Sequence, residues 1–316
     1  MNKLRAGIIG CGGIARFHQN AFRECGIEIT AYADNNEEAA RKLSAGEGAV
    51  FNSHQALLES GEVDLVAVCT PPAYHEDAAT LALKRGIHVL CEKPLAHTVE
   101  ASRRLAELAA GSEAKLMCAF RHRFIPAVRT IRSLLAEIGP VVVFQNTFCG
   151  PAFDMNTKWF SNPAISGGGC MLDTAAHSVD LFRFIVGEIR GSLVSKTTFL
   201  PDIAVEDAAV LVVQAESGAI GSLVSTWVSG TGVASIDIIG QNGRIVFDYT
   251  HPDAVRIKRR GEGEWTPVPV EKGNGFAAQT AHFARVIRGE EELACSAVDG
   301  LRSTEVIFNA VEGGTR

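Results

Sequence analysis

The chain has 316 residues, of which 47% are hydrophobic and 21% charged. That is too long for one typical domain and suits two, each with a substantial core. The net charge of −6 and the absence of any basic tract argue against nucleic acid and anionic membrane as partners, and no stretch approaches the ~20 apolar residues of a membrane helix. Lys3 and Arg5 mimic the start of a signal peptide, but the apolar run after them is short and broken by glycines, so a cytoplasmic protein is expected.

The first strand, Leu4 to Ile9, runs directly into Gly10-Cys11-Gly12-Gly13-Ile14-Ala15 and then a helical pattern. This is G-x-G-x-x-A in the strand–turn–helix setting of a dinucleotide fingerprint: Gly10 for the tight turn, Gly12 for close backbone approach to a pyrophosphate, Ala15 for helix–strand packing. Phosphates would sit on the helix N-terminus. The next strand, Ile27 to Ala33, ends in Asp34, at the offset where an acid takes the ribose hydroxyls. Asp34 would repel a 2′-phosphate, which favours NAD over NADP; Arg41 and Lys42 leave NADP possible.

Strand and helix patterns go on alternating to about residue 120, the mark of a doubly wound parallel sheet. Helices are expected at 36–45, from the Ser53 cap, at 73–85 ended by Gly86, and from the Thr98 cap. Strands are expected at 49–51, 65–69, 88–91 and 115–119. Thr70-Pro71-Pro72 and Glu92-Lys93-Pro94 fall at C-terminal strand ends, where open α/β sheets bind ligands. By position alone Lys93 is either a nicotinamide neighbour or a solvated lysine. His75 is either a cofactor or substrate contact or a helix N-terminal residue.

After a helix at 126–137 the chain turns strand-rich, with runs at 141–148, 193–198, 208–214, 219–228, 234–239, 244–249 and 255–258 and helices near 171–186, 275–288 and 299–311. A mostly antiparallel sheet is predicted, with helices on one face and a second copy of the chain on the other. Gly167-Gly168-Gly169 leads into a helix on which Asp173 and His177 are four apart and Asp180 three further, so all three share nearly one face. This is either a general acid/base pair beside a flexible pocket edge or an Asp–His pair that packs a helix. Arg121-His122-Arg123 lies at the inferred domain junction, and Lys158-Trp159-Phe160 offers a pocket wall. The eight cysteines show neither C-x-x-C nor a zinc-site spacing and read as reduced core thiols, with no metal.

These motifs, in this order, resemble the glucose–fructose oxidoreductase, inositol dehydrogenase and rhizopine-catabolism (Gfo/Idh/MocA) family over essentially the whole chain. The resemblance implies an N-terminal Rossmann domain (1–120) and a C-terminal α+β domain with a large, mostly antiparallel open sheet (121–316). It implies NAD or NADP as cofactor and a sugar, cyclitol or related polyol as substrate. The catalytic set would be Lys93, Asp173 and His177. The cofactor set would be Gly10, Gly12, Gly13, Ile14, Asp34, Thr70, Pro71, His75 and Glu92. Arg121, His122, Trp159 and Asp180 would bind substrate, and a homodimer or homotetramer would form through the C-terminal sheet. The family often has asparagine in the segment where this chain has His122. It also includes NAD-dependent glycosidases, which need an extra base such as tyrosine, and non-catalytic regulators such as the repressor of the yeast galactose regulon. The joint presence of Lys93, Asp173 and His177 argues against the regulators.

Overall fold

The computed structural model describes residues 3–313, apart from the Glu312 side chain. In chain order the first part runs β1 (Arg5–Ile9), α1 (Ala15–Glu24), β2 (Glu28–Ala33), α2 (Glu37–Ser44), β3 (Ala49–Phe51), α3 (His54–Glu59), β4 (Leu65–Val68), α4 (His75–Lys84), β5 (His88–Cys91), α5 (Val99–Ala110) and β6 (Leu116–Cys118). The six strands form one parallel sheet in the order β3-β2-β1-β4-β5-β6. Every residue of β4 is buried, as a strand covered on both faces requires. Ser53 and Thr98 cap their helices through their hydroxyls, on the amides of Ala56 and Ala101.

The second part continues with α6 (Pro126–Ile138), β7 (Val141–Pro151), α7 (Pro163–Ser166), α8 (Ala176–Ile185), β8 (Ile189–Thr197), β9 (Ala208–Ala215), β10 (Ile220–Thr226), β11 (Val228–Gly240), β12 (Gly243–Asp248), β13 (Ala254–Arg259) and β14 (Thr266–Pro269), followed by α9 (Gly275–Ile287) and α10 (Ala297–Gly313). The eight strands order as β14-β13-β12-β11-β7-β10-β9-β8; all pairs are antiparallel except β10 with β7. Strand β14 is absent from the sequence reading because Pro267 and Pro269 argue against a strand, and it survives as an edge. Alternation buries Phe144, Leu211, Leu223, Ile236 and Phe247 on one face. The other face shows Leu193, Val212, Ile220 and Ile239, with Leu193 opposite Val212 and Ile220 and Ile239 both beside Val143.

The chain forms two compact units. One holds the described residues up to Arg121 together with Asn274–Arg302; the other holds His122–Gly273 with the described residues from Ser303 onward. A single division at 120/121 does not describe this, because α9 packs on α1. Phe276 stacks on Phe17 at 5.1 Å and stands edge-on to His18 at 5.4 Å, and Cys25 bonds to the Ala277 carbonyl. A helical period reveals that a helix buries a face, but not which sheet receives it.

Candidate active site

In the first unit the glycine-rich turn is built as the fingerprint requires. Gly10 has φ +86°, and a Cβ there would stand 2.6 Å from the Thr70 amide nitrogen, so only glycine fits. At Gly12 and Gly13 a Cβ would meet nothing within 4 Å, so backbone is open to a ligand on that side. Ile14 at the N-terminus of α1 supplies no side-chain cap, which leaves the first-turn amides for an anion. The Asp34 carboxylate accepts the Cys11 N–H at 2.7 Å and the Asn36 N–H at 2.8 Å, while Asn36 caps α2. Each oxygen keeps a second lone pair for a ribose hydroxyl. Burial, then the charge of Asp34, pushes the Cys11 thiol up to about 12, so it stays protonated. Thr70, at the end of β4, has a buried hydroxyl with no hydrogen-bond partner among the described residues. Open glycines, an uncapped helix and an orphaned hydroxyl beside them fit a dinucleotide.

His75 departs from expectation. Its ring is 1% exposed and lies between two carbonyls, with Nε2 2.7 Å from Thr70 O and Nδ1 3.0 Å from Pro94 O. Rather than face a cofactor, it ties the Thr70-Pro71-Pro72 turn to the Lys93-Pro94 loop. Glu92 is also buried. Its Oε1 lies 2.7 Å from His18 Nε2 and its Oε2 accepts the Lys93 N–H at 3.2 Å, so it fixes the backbone from which Lys93 projects. Lys93 itself is partly exposed between buried neighbours. Arg121 holds its guanidinium 5.2 Å over the Phe276 ring.

In the second unit, Met171–Ala175 form a π-helical turn that runs into α8. Such turns interrupt the regular ladder and are frequent at functional sites. On this otherwise buried segment Asp173, Thr174 and His177 are partly exposed. Asp173 Oδ2 accepts from the Trp227 indole N–H at 3.1 Å and from the Thr174 hydroxyl at 3.2 Å. Of the three glycines ahead of the turn, Gly167 ends α7 in the left-handed region at φ +81°, and Gly169 is a packing residue rather than a flexible edge. A Cβ on Gly169 would stand 1.8 Å from Glu206 O, and Glu206 Oε1 accepts the Gly169 and Met171 amides.

The expectation that Asp180 binds substrate does not hold. It is 0% exposed and forms a buried pair with Arg123, whose Nη2 donates at 2.6 Å and Nε at 2.9 Å. The helical spacing was correct, but Asp180 falls on the core side of α8. His122 is 5% exposed, and its ring stands edge-on to His177 at 4.6 Å. Trp159 stacks on Phe160 at 3.7 Å, and Phe160 meets Trp227 at 6.2 Å, so an aromatic wall leads to the group that holds Asp173. The sequence pattern places Trp227 and Tyr249 in strand runs and assigns neither to the dehydrogenase site. Their partners lie 54 and 127 positions away, and no local pattern carries such pairings. Among the described residues, no cluster of three or more His, Cys, Asp or Glu side chains is arranged for a metal.

A parallel sheet with a dinucleotide turn in one unit, and in the other a mostly antiparallel sheet with a helix carrying Asp173 and His177, define the fold of a nucleotide-dependent oxidoreductase. Residues 4–120 match the model of the oxidoreductase family with NAD-binding Rossmann fold, and residues 128–246 match the GFO/IDH/MocA C-terminal domain. The chain belongs to the Gfo/Idh/MocA family. The 1,5-anhydro-D-fructose reductase of Ensifer adhaerens is 28% identical over 314 residues, covering 95% of this chain and 92% of that protein. The inositol 2-dehydrogenase of Rhizobium meliloti (strain 1021) is 24% identical over 98% of this chain and 96% of that protein. A structure of levoglucosan dehydrogenase in complex with NADH superimposes with a TM-score of 0.91 at 22% identity, over 98% of this chain and 96% of that one, and shows the shared fold.

Proposed function

We propose that the protein is an NAD-dependent dehydrogenase that oxidises a secondary alcohol of a sugar, cyclitol or related polyol, or reduces the corresponding ketone. The observation that carries this reading is Asp173, fixed on a π turn by Trp227, with His177 partly exposed four residues on in α8, in a chain whose glycine-rich turn fits a dinucleotide. The relatives named for inositol, anhydrofructose and levoglucosan chemistry support the substrate class.

Gly10, Gly12, Gly13 and Ile14 would hold the pyrophosphate, Asp34 the ribose, and Thr70, Pro71 and Glu92 the walls toward the nicotinamide. The bound nicotinamide supplies the hydride acceptor. His177 takes the hydroxyl proton as the hydride leaves the same carbon. Lys93 donates a hydrogen bond to that oxygen and stabilises its developing charge, worth roughly 3 kcal/mol in a dry site. Asp173 orients His177 or holds a neighbouring hydroxyl, Trp159 offers a flat surface to the sugar ring, and Arg121 would donate to a substrate hydroxyl. No cysteine among the described residues is joined in a disulfide, which suits a reducing cytoplasm. The exposed apolar face of the eight-stranded sheet suits a homodimer or homotetramer.

Absorbance at the reduced-nicotinamide band, with NAD and then NADP across aldoses, inositol isomers and nucleotide sugars, tests the reading, with Lys93→Ala as control. Turnover lost in the variant is expected. Silence across the panel with dinucleotide binding intact counts against it.

A further inference from the structure

His122 is enclosed rather than displayed. Its Nδ1 lies 3.0 Å from the Tyr249 hydroxyl. Its ring packs against Phe148 at 4.9 Å and stands edge-on to His177 at 4.6 Å. Tyr249 is itself fixed. Its amide donates to Ala234 O at 2.9 Å, and its ring meets Phe148 at 5.4 Å and Phe247 at 4.7 Å. Phe148 lies on β7 and Tyr249 directly follows β12, with its amide bonded to Ala234 of β11, so the sheet anchors both.

An imidazole attached only by its Cβ can turn about two torsions. A base must hold its nitrogen within a fraction of an ångström of the proton it takes. The hydroxyl–imidazole bond sets the orientation of the His122 ring, and the edge-to-face contact passes that orientation to His177. We infer that Tyr249 and His122 are positioning residues for His177, a chain of contacts running from the sheet through two aromatic side chains to the base. The assignment rests on the reading of His177 as the base. It replaces a direct substrate role for His122, whose ring is 5% exposed.

Three substitutions separate the links. Tyr249→Phe removes the hydroxyl and keeps every ring contact. His122→Phe keeps a ring against His177 and loses the bond to Tyr249. His122→Asn keeps a polar atom near the Tyr249 hydroxyl and loses the ring against His177. The readout is the imidazole NMR spectrum of ¹⁵N-histidine-labelled full-length protein, with His177 assigned from His177→Gln, beside kcat and KM for whichever polyol turns over. A displaced His177 signal is expected in Tyr249→Phe and a larger displacement in His122→Asn. With it, kcat should fall about tenfold in Tyr249→Phe while KM stays within about twofold, because misplacing a catalytic group costs rate more than binding. Thermal melts establish that each variant folds. A His177 signal unmoved in both Tyr249→Phe and His122→Asn overturns the inference, whatever the turnover. Failure of the wild-type protein to reduce nicotinamide with any polyol instead overturns the reading of the reaction, and the NMR result still decides whether Tyr249 and His122 position His177.

Discussion

Trp227 donates its indole N–H to the carboxylate of Asp173 across 3.1 Å, from a ring that is 3% exposed. A hydrogen bond to a charged group contributes about 1.5–3 kcal/mol. Here it also fixes which way the carboxylate faces on the π turn. Trp227→Phe keeps the aromatic packing and removes the donor. Its kcat/KM for the polyol is expected to fall about 10- to 100-fold, with dinucleotide affinity unchanged, as steady-state kinetics and NADH fluorescence titration would show. Unaltered kcat/KM would mean that the bond is decorative.

Asp180 belongs to stability rather than to binding. Both members of the Arg123–Asp180 pair are almost fully buried, and Arg123 also lies 5.1 Å from the Phe184 ring. Removing one member of such a pair leaves a buried charge uncompensated, which costs about 3–5 kcal/mol. Asp180→Ala should therefore lower the urea midpoint sharply. What folded protein remains should keep KM near the wild-type value. A stable variant with a raised KM would return Asp180 to the substrate site.

These two residues show where sequence reasoning succeeded and where it ended. The dinucleotide turn, the strand ends carrying Thr70 and Lys93, and the Asp173–His177 spacing were legible because each is a local pattern whose geometry follows from helix or strand period. Asp180 shares that period, yet whether a face meets solvent or Arg123 is decided by a residue 57 positions away. The same holds for His75. Its neighbours in sequence suggest a ligand contact, but both of its ring nitrogens meet carbonyls of two separate loops. The return of α9 to the first unit and the role of Trp227 are long-range pairings that no window of sequence contains. Gly169 looked like a flexible joint, because a glycine read alone does not reveal that the Glu206 carbonyl fills the space of its side chain.

The acid at Asp34 predicts cofactor choice. Its charge would face a 2′-phosphate at close range, and Asn35 and Asn36 bring no compensating cation. The wild-type protein should prefer NAD by KM. Asp34→Ser should raise KM for NAD and shift the NAD/NADP ratio toward NADP by about tenfold or more, since one unfavourable charge contact removed is worth at least ~1.4 kcal/mol. The same carboxylate bonds to the Cys11 amide, so a modest loss of thermal stability should accompany the change. A wild-type preference for NADP would refute the assignment of Asp34.

Acid should destabilise the fold in two stages. Burial, opposed less strongly by the Thr70 and Pro94 carbonyls, lowers the His75 pKa from 6.5. The unfolded chain therefore binds a proton at this residue before the folded one does, and stability starts to fall as pH drops through 6.5. Glu92 acts lower on the scale. Its burial would raise its pKa, but the hydrogen bond from His18 and the charges of His18 and Lys93 together bring it below 4.5. Its contribution is complete above the unfolded value and is lost as pH falls through the folded one. Urea midpoints across a pH series should show both limbs. His75→Asn, although less stable at neutral pH, should flatten the first, and Glu92→Gln should flatten the second. Wild-type midpoints that stay level between neutral pH and the carboxylate range would show that His75 is not held neutral by its burial between the two loops.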